Sequence, residues 1–171
     1  MQYVHHCASP LGGITLSSDG EALTGLWFDG QKHFGSTLSE EAREAPLPVF
    51  DFAESWLSVY FGGSAPSFAP PLRLSGTAFQ KEVWEILTTI PYGNTVTYGD
   101  IAQVLAARRG LASFSAQAVG QAVARNPVSI IVPCHRVLGA QGRLTGYAAG
   151  TQQKLKLLQL ENAEAARAYD S

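Results

Sequence analysis

Cysteine is scarce in this chain: two residues among 171, Cys7 and Cys134. Two thiols cannot build a disulfide framework, and their scarcity points to a reducing, intracellular compartment, most simply the cytoplasm. No apolar run approaches the roughly 18 residues that a membrane span needs, so no membrane partner is expected. The opening Met1-Gln2-Tyr3-Val4-His5-His6-Cys7 has no basic stretch followed by an apolar one and does not read as a secretory signal. No glycine-rich dinucleotide or phosphate motif is present, so no nucleotide cofactor, and no cofactor of any kind, is expected. Low-complexity sequence is missing as well, with only the last few residues reading as disordered. What is present is ample apolar content, 46% of the chain, enough for one large or two small domains.

Acidic residues are absent from one long segment. Residues 1–75 carry three basic and eight acidic side chains, net -5, whereas residues 76–171 carry nine basic and six acidic, net +3. Between Ile101 and Lys156 stand Arg108, Arg109, Arg125, Arg136, Arg143, Lys154 and Lys156 with no Asp or Glu. A polyanion docking there would meet only attraction. An unbroken basic stretch also arises by chance in near-neutral proteins, so charge alone leaves the partner open.

Strands are expected at Tyr3–Val4, Gly13–Leu16 and Ala22–Phe28, joined by Gly- and Ser-rich turns into a small antiparallel meander. Residues 32–48 are polar and Pro-bounded and read as loop or weak helix. Val49, Phe52, Ala53, Trp56, Leu57 and Tyr60 make a helical stripe that Gly62-Gly63 ends. The Pro-, Gly- and Ser-rich residues 62–75 mark a domain boundary, where the charge also changes sign. Thr77 with Gln80 forms a capping box ahead of a helix facing inward through Phe79, Val83, Trp84, Leu87 and Ile90. Thr97 with Asp100 starts a second helix, with Ile101, Val104 and Leu105 inward, that Arg109-Gly110 breaks. Ser115 caps a third, Ala116–Arg125, whose apolar face holds Ala118, Val119, Ala122 and Val123. Helix, turn, helix is the outline of a nucleic-acid-binding motif. Ala116, Ala118, Gly120, Ala122 and Ala124 make the third helix thin. Thinness suits either a narrow DNA groove or close packing in a core. Thr151 is read as the cap of a last helix, Gln152 to about Ala165, with Leu155, Leu157, Leu158 and Leu160 inward. Glu161 follows Leu157 by four and Leu158 by three, so it points the same way and needs a partner.

The chemistry concentrates at Asn126-Pro127-Val128-Ser129-Ile130-Ile131-Val132-Pro133-Cys134-His135-Arg136-Val137. The β-branched run reads as a short buried strand, and Pro133 must end it or sit on an edge. A thiol, an imidazole and a guanidinium follow. Only the thiolate attacks well, and a His held by a carboxylate is the usual way to draw off its proton. Cys134, His135 and Glu161 supply those parts. Adjacent residues on a strand face opposite ways, so the chain must turn at Pro133 or a water must bridge. A buried structural thiol is the competing reading of Cys134.

Pro133-Cys134-His135-Arg136-Val137 after Asn126-Pro127, with Gly146-Tyr147 and Leu157-Leu158 before Glu161, resembles the methylated-DNA–protein-cysteine methyltransferases, also called O6-alkylguanine-DNA alkyltransferases. Gly76-Thr77-Ala78-Phe79-Gln80, Val83-Trp84, Ile90-Pro91-Tyr92-Gly93, Tyr98 and Ala118-Val119-Gly120 extend the likeness from Gly76 to Glu161; before Gly76 it is looser, Ser9-Pro10-Leu11-Gly12 being the main echo. The resemblance implies an α/β two-domain chain. Residues 1–75 would form a ribonuclease-H-like domain with a small antiparallel sheet and helix. Residues 76–171 would form a mainly helical, winged-helix-like helix-turn-helix domain that binds DNA and accepts the alkyl group.

The implied activity is DNA repair by direct, irreversible, stoichiometric transfer of an alkyl group, mainly methyl, to Cys134. The donors are O6-alkylguanine and O4-alkylthymine, flipped out of the duplex through the minor groove. By resemblance, His135 takes the thiol proton through a water, Glu161 orients His135, and Asn126 supports the reactive loop. Tyr98 would donate to the departing guanine, backbone groups at Cys134 and Val137 would read its edge, and Tyr147 and Ala148 would line the pocket. Ala116, Gln117, Gly120, Arg125 and Arg136 would meet the DNA. The implied partner is double-stranded alkylated DNA, bound by a monomer, with cooperativity along DNA, preferred alkyl size and any separate role of the N-terminal domain left open.

Three positions depart from the family. Gln117 stands where an arginine commonly fills the space of the flipped base. Ala149 replaces a common glycine at the end of the pocket loop and would narrow it. Some relatives hold zinc with two Cys and two His, whereas here only Cys7 joins His5, His6 and His33, so no metal is expected. A lesion binder with an inert thiol and a cysteine hydrolase are the competing functions.

Overall fold

The structure, a computed structural model, describes Met1–Tyr169. The disorder expected at the extreme C-terminus lies, from residue 170 on, outside the described residues. The chain divides into two compact units: Met1–Gly76 with Pro127–Ile131, and Thr77–Asn126 with the chain from Val132 on. The main boundary falls after Gly76, beside the expected cut, and residues 127–131 group with the first unit.

In the first unit β1 (Tyr3–Cys7), β2 (Ile14–Ser18) and β3 (Leu23–Phe28) form the expected antiparallel meander. A two-residue strand β4 (Arg43–Glu44) pairs parallel with β1, giving the order β3-β2-β1-β4. It lies in the stretch read as loop or weak helix, and two residues carry no period to detect. The helix α1 (Pro48–Phe61) starts on a proline, whose missing N–H would be unbonded there anyway, and packs on β2 and β3. Phe50 and Phe52 flank its apolar stripe on opposite sides. Packing chooses Phe50, which is buried, and leaves Phe52 exposed with its ring edge-on to Phe68.

The second unit holds α2 (Ala78–Leu87), α3 (Tyr98–Arg108), α4 (Ala116–Ala124) and α5 (Thr151–Leu160). Both capping boxes form: Thr77 and Thr97 accept from the backbone of Gln80 and Asp100, whose side chains accept in return from Thr77 and Thr97. Ser115 accepts from Ala118 and caps α4. On α3 the buried face runs through Ile101, Ala102, Leu105 and Ala106, and the expected Val104 is exposed. Alanine there lets the helices approach, and α4 packs on both α2 and α3.

The Trp84 indole N–H donates to the Ala122 carbonyl at 2.8 Å. Small size at Ala122 thus serves packing, while Ala116 and Ala124 face solvent. Two short strands, β5 (Val96–Thr97) and β6 (Val137–Leu138), pair in parallel. Thr151 does not cap α5: it is the first helical residue, and the cap position falls to Gly150 at a φ of 96°. α5 stops at Leu160, short of the expected Ala165, and a 3-10 helix follows at Glu164–Tyr169. Its buried residues are Lys154, Leu157 and Leu158, with Leu155 and Leu160 only half-buried. Among the described residues no helix is long and apolar enough to cross a membrane.

Because the Thr77 hydroxyl satisfies one of the first free N–H groups of α2, Thr77→Ala is expected to lower stability by about 1 kcal/mol. Urea unfolding of the two proteins measures this, and equal midpoints would show that the cap contributes nothing.

Candidate active site

The stretch expected as a strand at Val128–Val132 is buried, apart from half-buried Ile131, but does not form one. Val128 makes a single parallel bridge to Leu26 of β3. The Leu26 N–H donates to the Pro127 carbonyl at 2.8 Å, and the Ser129 N–H to the Leu26 carbonyl at 3.0 Å. The chain then turns tightly, with the Ile131 N–H reaching back to the Ser129 carbonyl at 2.8 Å and the Cys134 N–H to the Val132 carbonyl at 2.8 Å. Between these turns Ile130, fully buried, holds a φ of 70°. A β-branched residue in the left-handed region carries strain of about 1–3 kcal/mol and persists only where its surroundings fix it. The Asn126 amide spans the turn, donating to the Val132 carbonyl at 2.8 Å. Cys134–Arg136 then form a single 3-10 turn. The chain does turn at Pro133, so the alternation of a strand does not separate Cys134 from His135.

Glu161, just past α5, is the centre of the site. One carboxylate oxygen lies 2.6 Å from His135 Nε2 and accepts from Arg136 Nη2 at 3.1 Å. The other accepts from Arg136 Nε at 2.8 Å and from the Gly93 N–H at 3.0 Å. Gly93 has a φ of 82°, and a Cβ there would sit 3.2 Å from the Glu161 carbonyl, so glycine is needed for this approach. Arg136 also donates through Nη1 to the Ile90 carbonyl at 2.8 Å and lies 5.7 Å from the Tyr92 ring centre. Burial alone would raise the Glu161 pKa. The bonds from His135 and Arg136 outweigh it and hold the carboxyl well below the usual range.

An ionised carboxylate can only accept, so His135 carries its proton on Nε2 and its lone pair on Nδ1. Burial, with positive charge at Arg136 and Lys154, pushes His135 below its ordinary pKa despite the pull of Glu161, and the ring is neutral near pH 7. A neutral, oriented imidazole can take up a proton.

Tyr98, at the start of α3, borders the loop before α5, with its hydroxyl 3.5 Å from the Gly146 carbonyl. Its pKa is raised by burial and by the charge of Cys134. Fully buried Lys154 donates to the carbonyls of Thr145 at 2.6 Å and Gly146 at 3.2 Å, and its Nζ lies 5.9 Å from the Tyr98 ring centre. The charge pattern does not mark Lys154 as internal, but its spacing does: it precedes Leu157 by three and Leu158 by four, the rule that also turns Glu161 inward. Tyr147 and Ala148 are half-buried in the same loop, and Val137 is fully buried in β6.

The DNA-facing candidates separate. Ala116, Gln117 and Arg125 are exposed along α4, and Gly120 is half-buried there, where an added Cβ would lie 3.8 Å from the Tyr98 ring. Arg136 is a correction: its guanidinium is spent on Glu161 and Ile90 inside the protein and is not offered to phosphate. The basic segment shrinks accordingly. Arg136 and Lys154 are internal, Arg108 and Arg109 pair with Glu82, and Arg125, Arg143 and Lys156 are exposed with no ion pair recorded among the described residues. Burial, with Glu54 and Asp29 nearby, pushes the Cys7 thiol up to about 11, and Cys7 lines a separate cavity of about 590 Å³ in the first unit. His5 and His6 reach carboxylates, His5 Nε2 to Glu54 at 2.6 Å and His6 Nε2 to Glu44 at 3.5 Å.

Residues 78–163 match the family described as 6-O-methylguanine DNA methyltransferase, DNA binding domain. A methylated-DNA–protein-cysteine methyltransferase of Mycobacterium leprae is 45% identical over 162 residues, covering 91% of this chain and 92% of its own. One from Methanosarcina acetivorans is 44% identical over 156 residues, covering 91% and 95%. Among solved structures, Mycobacterium tuberculosis OGT in complex with DNA aligns with a TM-score of 0.81 and 39% identity, covering 98% of this chain and 99% of that one. The O6-methylguanine-DNA methyltransferase of Pyrococcus kodakaraensis aligns at 0.64 with 27% identity, covering 95% and 100%.

Burial pushes Lys154 down from 10.5 to about 8. Between those values the unfolded chain holds a proton that the folded one has released, so this group makes stability rise with pH across the window. Comparing urea unfolding of the wild type and Lys154→Met from about pH 8 to pH 10 is expected to show the wild type gaining on the variant. A constant gap would mean that Lys154 titrates as an ordinary surface lysine.

Proposed function

This chain belongs to the methylated-DNA–protein-cysteine methyltransferase family, and from that premise we propose that it repairs DNA by moving an alkyl group from the O6 atom of guanine onto Cys134. The supporting observation is the buried 2.6 Å contact of His135 with Glu161 beside the Cys134 turn. It supplies a neutral base of fixed tautomer next to the only cysteine of the second unit.

Cys134 gives its proton to His135 Nδ1 through a water, and Glu161 stabilises the imidazolium that forms. The thiolate attacks the alkyl carbon, the sulfur–carbon bond forms as the carbon–oxygen bond breaks, and guanine leaves with the electron pair. Tyr98, its hydroxyl kept protonated by burial, donates a hydrogen bond to the leaving base. Backbone groups at Cys134 and Val137 read the guanine edge, while Tyr147 and Ala148 line the pocket whose loop Lys154 holds. Asn126 keeps the turn before Cys134 in shape. O4-alkylthymine enters by the same route. α4 lies in the minor groove through Ala116, Gln117, Gly120 and Arg125 while the base is extruded. The ribonuclease-H-like reading of the first unit, the winged-helix-like reading of the second, a cytoplasmic setting and a monomeric state go with this proposal.

A sulfur–carbon thioether offers no leaving group to water, so one molecule should repair one lesion. Mixing the protein with a methylguanine oligonucleotide and weighing it intact is expected to show one stable methyl group, located on the Cys134 peptide and absent in Cys134→Ser. Tight binding without an adduct would replace transfer by lesion binding, and repeated product release would replace it by hydrolysis.

Gln117 is uncharged and smaller in plane than the arginine commonly found there. Gln117→Arg is expected to raise DNA affinity or the single-turnover repair rate several-fold. Unchanged values of both would show that this side chain does not enter the stack.

A further inference from the structure

We infer that Glu82 sets how strongly this protein holds DNA, by keeping the guanidinium groups of Arg108 and Arg109 from phosphate. The inference rests on the reading of α3 and α4 as the pair that meets the duplex and adds a control that this reading does not contain.

Arg108 closes α3, Arg109 follows it, and the chain runs through Phe114 to Ser115, the cap of α4. Both cations therefore stand at the entrance to the helix proposed to enter the groove. Glu82, on α2, accepts from Arg108 Nη1 at 3.2 Å and from Arg109 Nη2 at 2.7 Å. Arg109 is further ordered by the Phe114 ring, 5.1 Å below its guanidinium, and Phe114 stacks on Phe79 with ring centres 5.7 Å apart. The arginine side chains are 49% and 35% exposed, so solvent and a solution ligand can reach them.

A carboxylate presents the acceptor pattern that a phosphate presents, so Glu82 is a built-in competitor for both guanidiniums. Its share is large. Of the seven basic residues between Ile101 and Lys156, Arg136 and Lys154 are internal, which leaves five at the surface, and Glu82 holds two of those five. The pairs are solvent-exposed and of the kind that contributes little to folding. Their consequence is on binding, because non-specific DNA affinity is almost wholly electrostatic. A protein that must leave undamaged DNA in order to find a lesion gains from a restrained grip.

Each phosphate contact adds about 0.9 to the slope of log affinity against log salt, so releasing two arginines should steepen it by up to about 1.8. The test measures binding of the full chain to an undamaged duplex across salt concentrations. Glu82→Gln is expected to steepen the slope by about one to two and tighten binding at least about tenfold at 0.1 M salt. Glu82→Asp, which keeps the charge, should stay near the wild type. Adding Arg108→Gln and Arg109→Gln to Glu82→Gln should remove the gain. An unchanged slope in Glu82→Gln, or a gain that survives loss of both arginines, overturns the inference while leaving the repair reading intact. Wild-type protein with no salt-dependent duplex binding would sink both.

Discussion

A carboxylate at the C-terminal end of a helix meets the negative end of the helix dipole, and burial strips it of water as well. Glu161 is in both situations, one residue past α5 and almost inaccessible. It is tolerable because hydrogen bonds converge on it, among them two from Arg136, one from Gly93 and one with His135. Those bonds join three separate stretches of the second unit: the end of α5, the turn at Cys134–Arg136 and the loop after Ile90. Losing Arg136 would leave the carboxylate buried with its main counter-charge gone, which costs far more than an exposed pair would. The proton position on His135 depends on Glu161 staying ionised.

The second constraint is backbone strain. Ile130 sits in a conformation that β-branched residues avoid, between two tight turns. β3 holds the near side through Leu26, and the Asn126 amide bridges to Val132 across the turn. A stretch pinned this way has few alternatives, which suits the role proposed for Cys134 at its exit.

Much of this was legible in the sequence where a local rule governed the outcome. The capping boxes at Thr77 and Thr97, the Ser115 cap and the meander follow from nearest-neighbour chemistry, and they are present. Glu161 was placed inside by helical spacing alone. The misses share a cause, which is that tertiary packing decided between locally equivalent options. Phe50 and Phe52 border the same stripe from opposite sides. Val104 was displaced from the core of α3 by alanines that bring helices together. The apolar run before Cys134 has strand composition, yet its geometry is set by the anchors at Leu26 and Asn126, which no local pattern encodes. Arg136 looked like a phosphate ligand because its partner lies 25 residues away in sequence.

That reassignment changes the electrostatic picture more than any other. A basic segment free of acidic residues suggested a broad anionic-partner surface, but linear sequence cannot separate cations that face outward from cations that satisfy buried acceptors. Here Arg136 holds the carboxylate that meets His135, and Lys154 holds the carbonyls of Thr145 and Gly146. The charge left for DNA is smaller, and part of it is already answered by Glu82. Under the proposed chemistry this balance is coherent. A protein that reacts once per molecule gains nothing from long residence on undamaged duplex, and its selectivity has to come from the pocket that admits the extruded base.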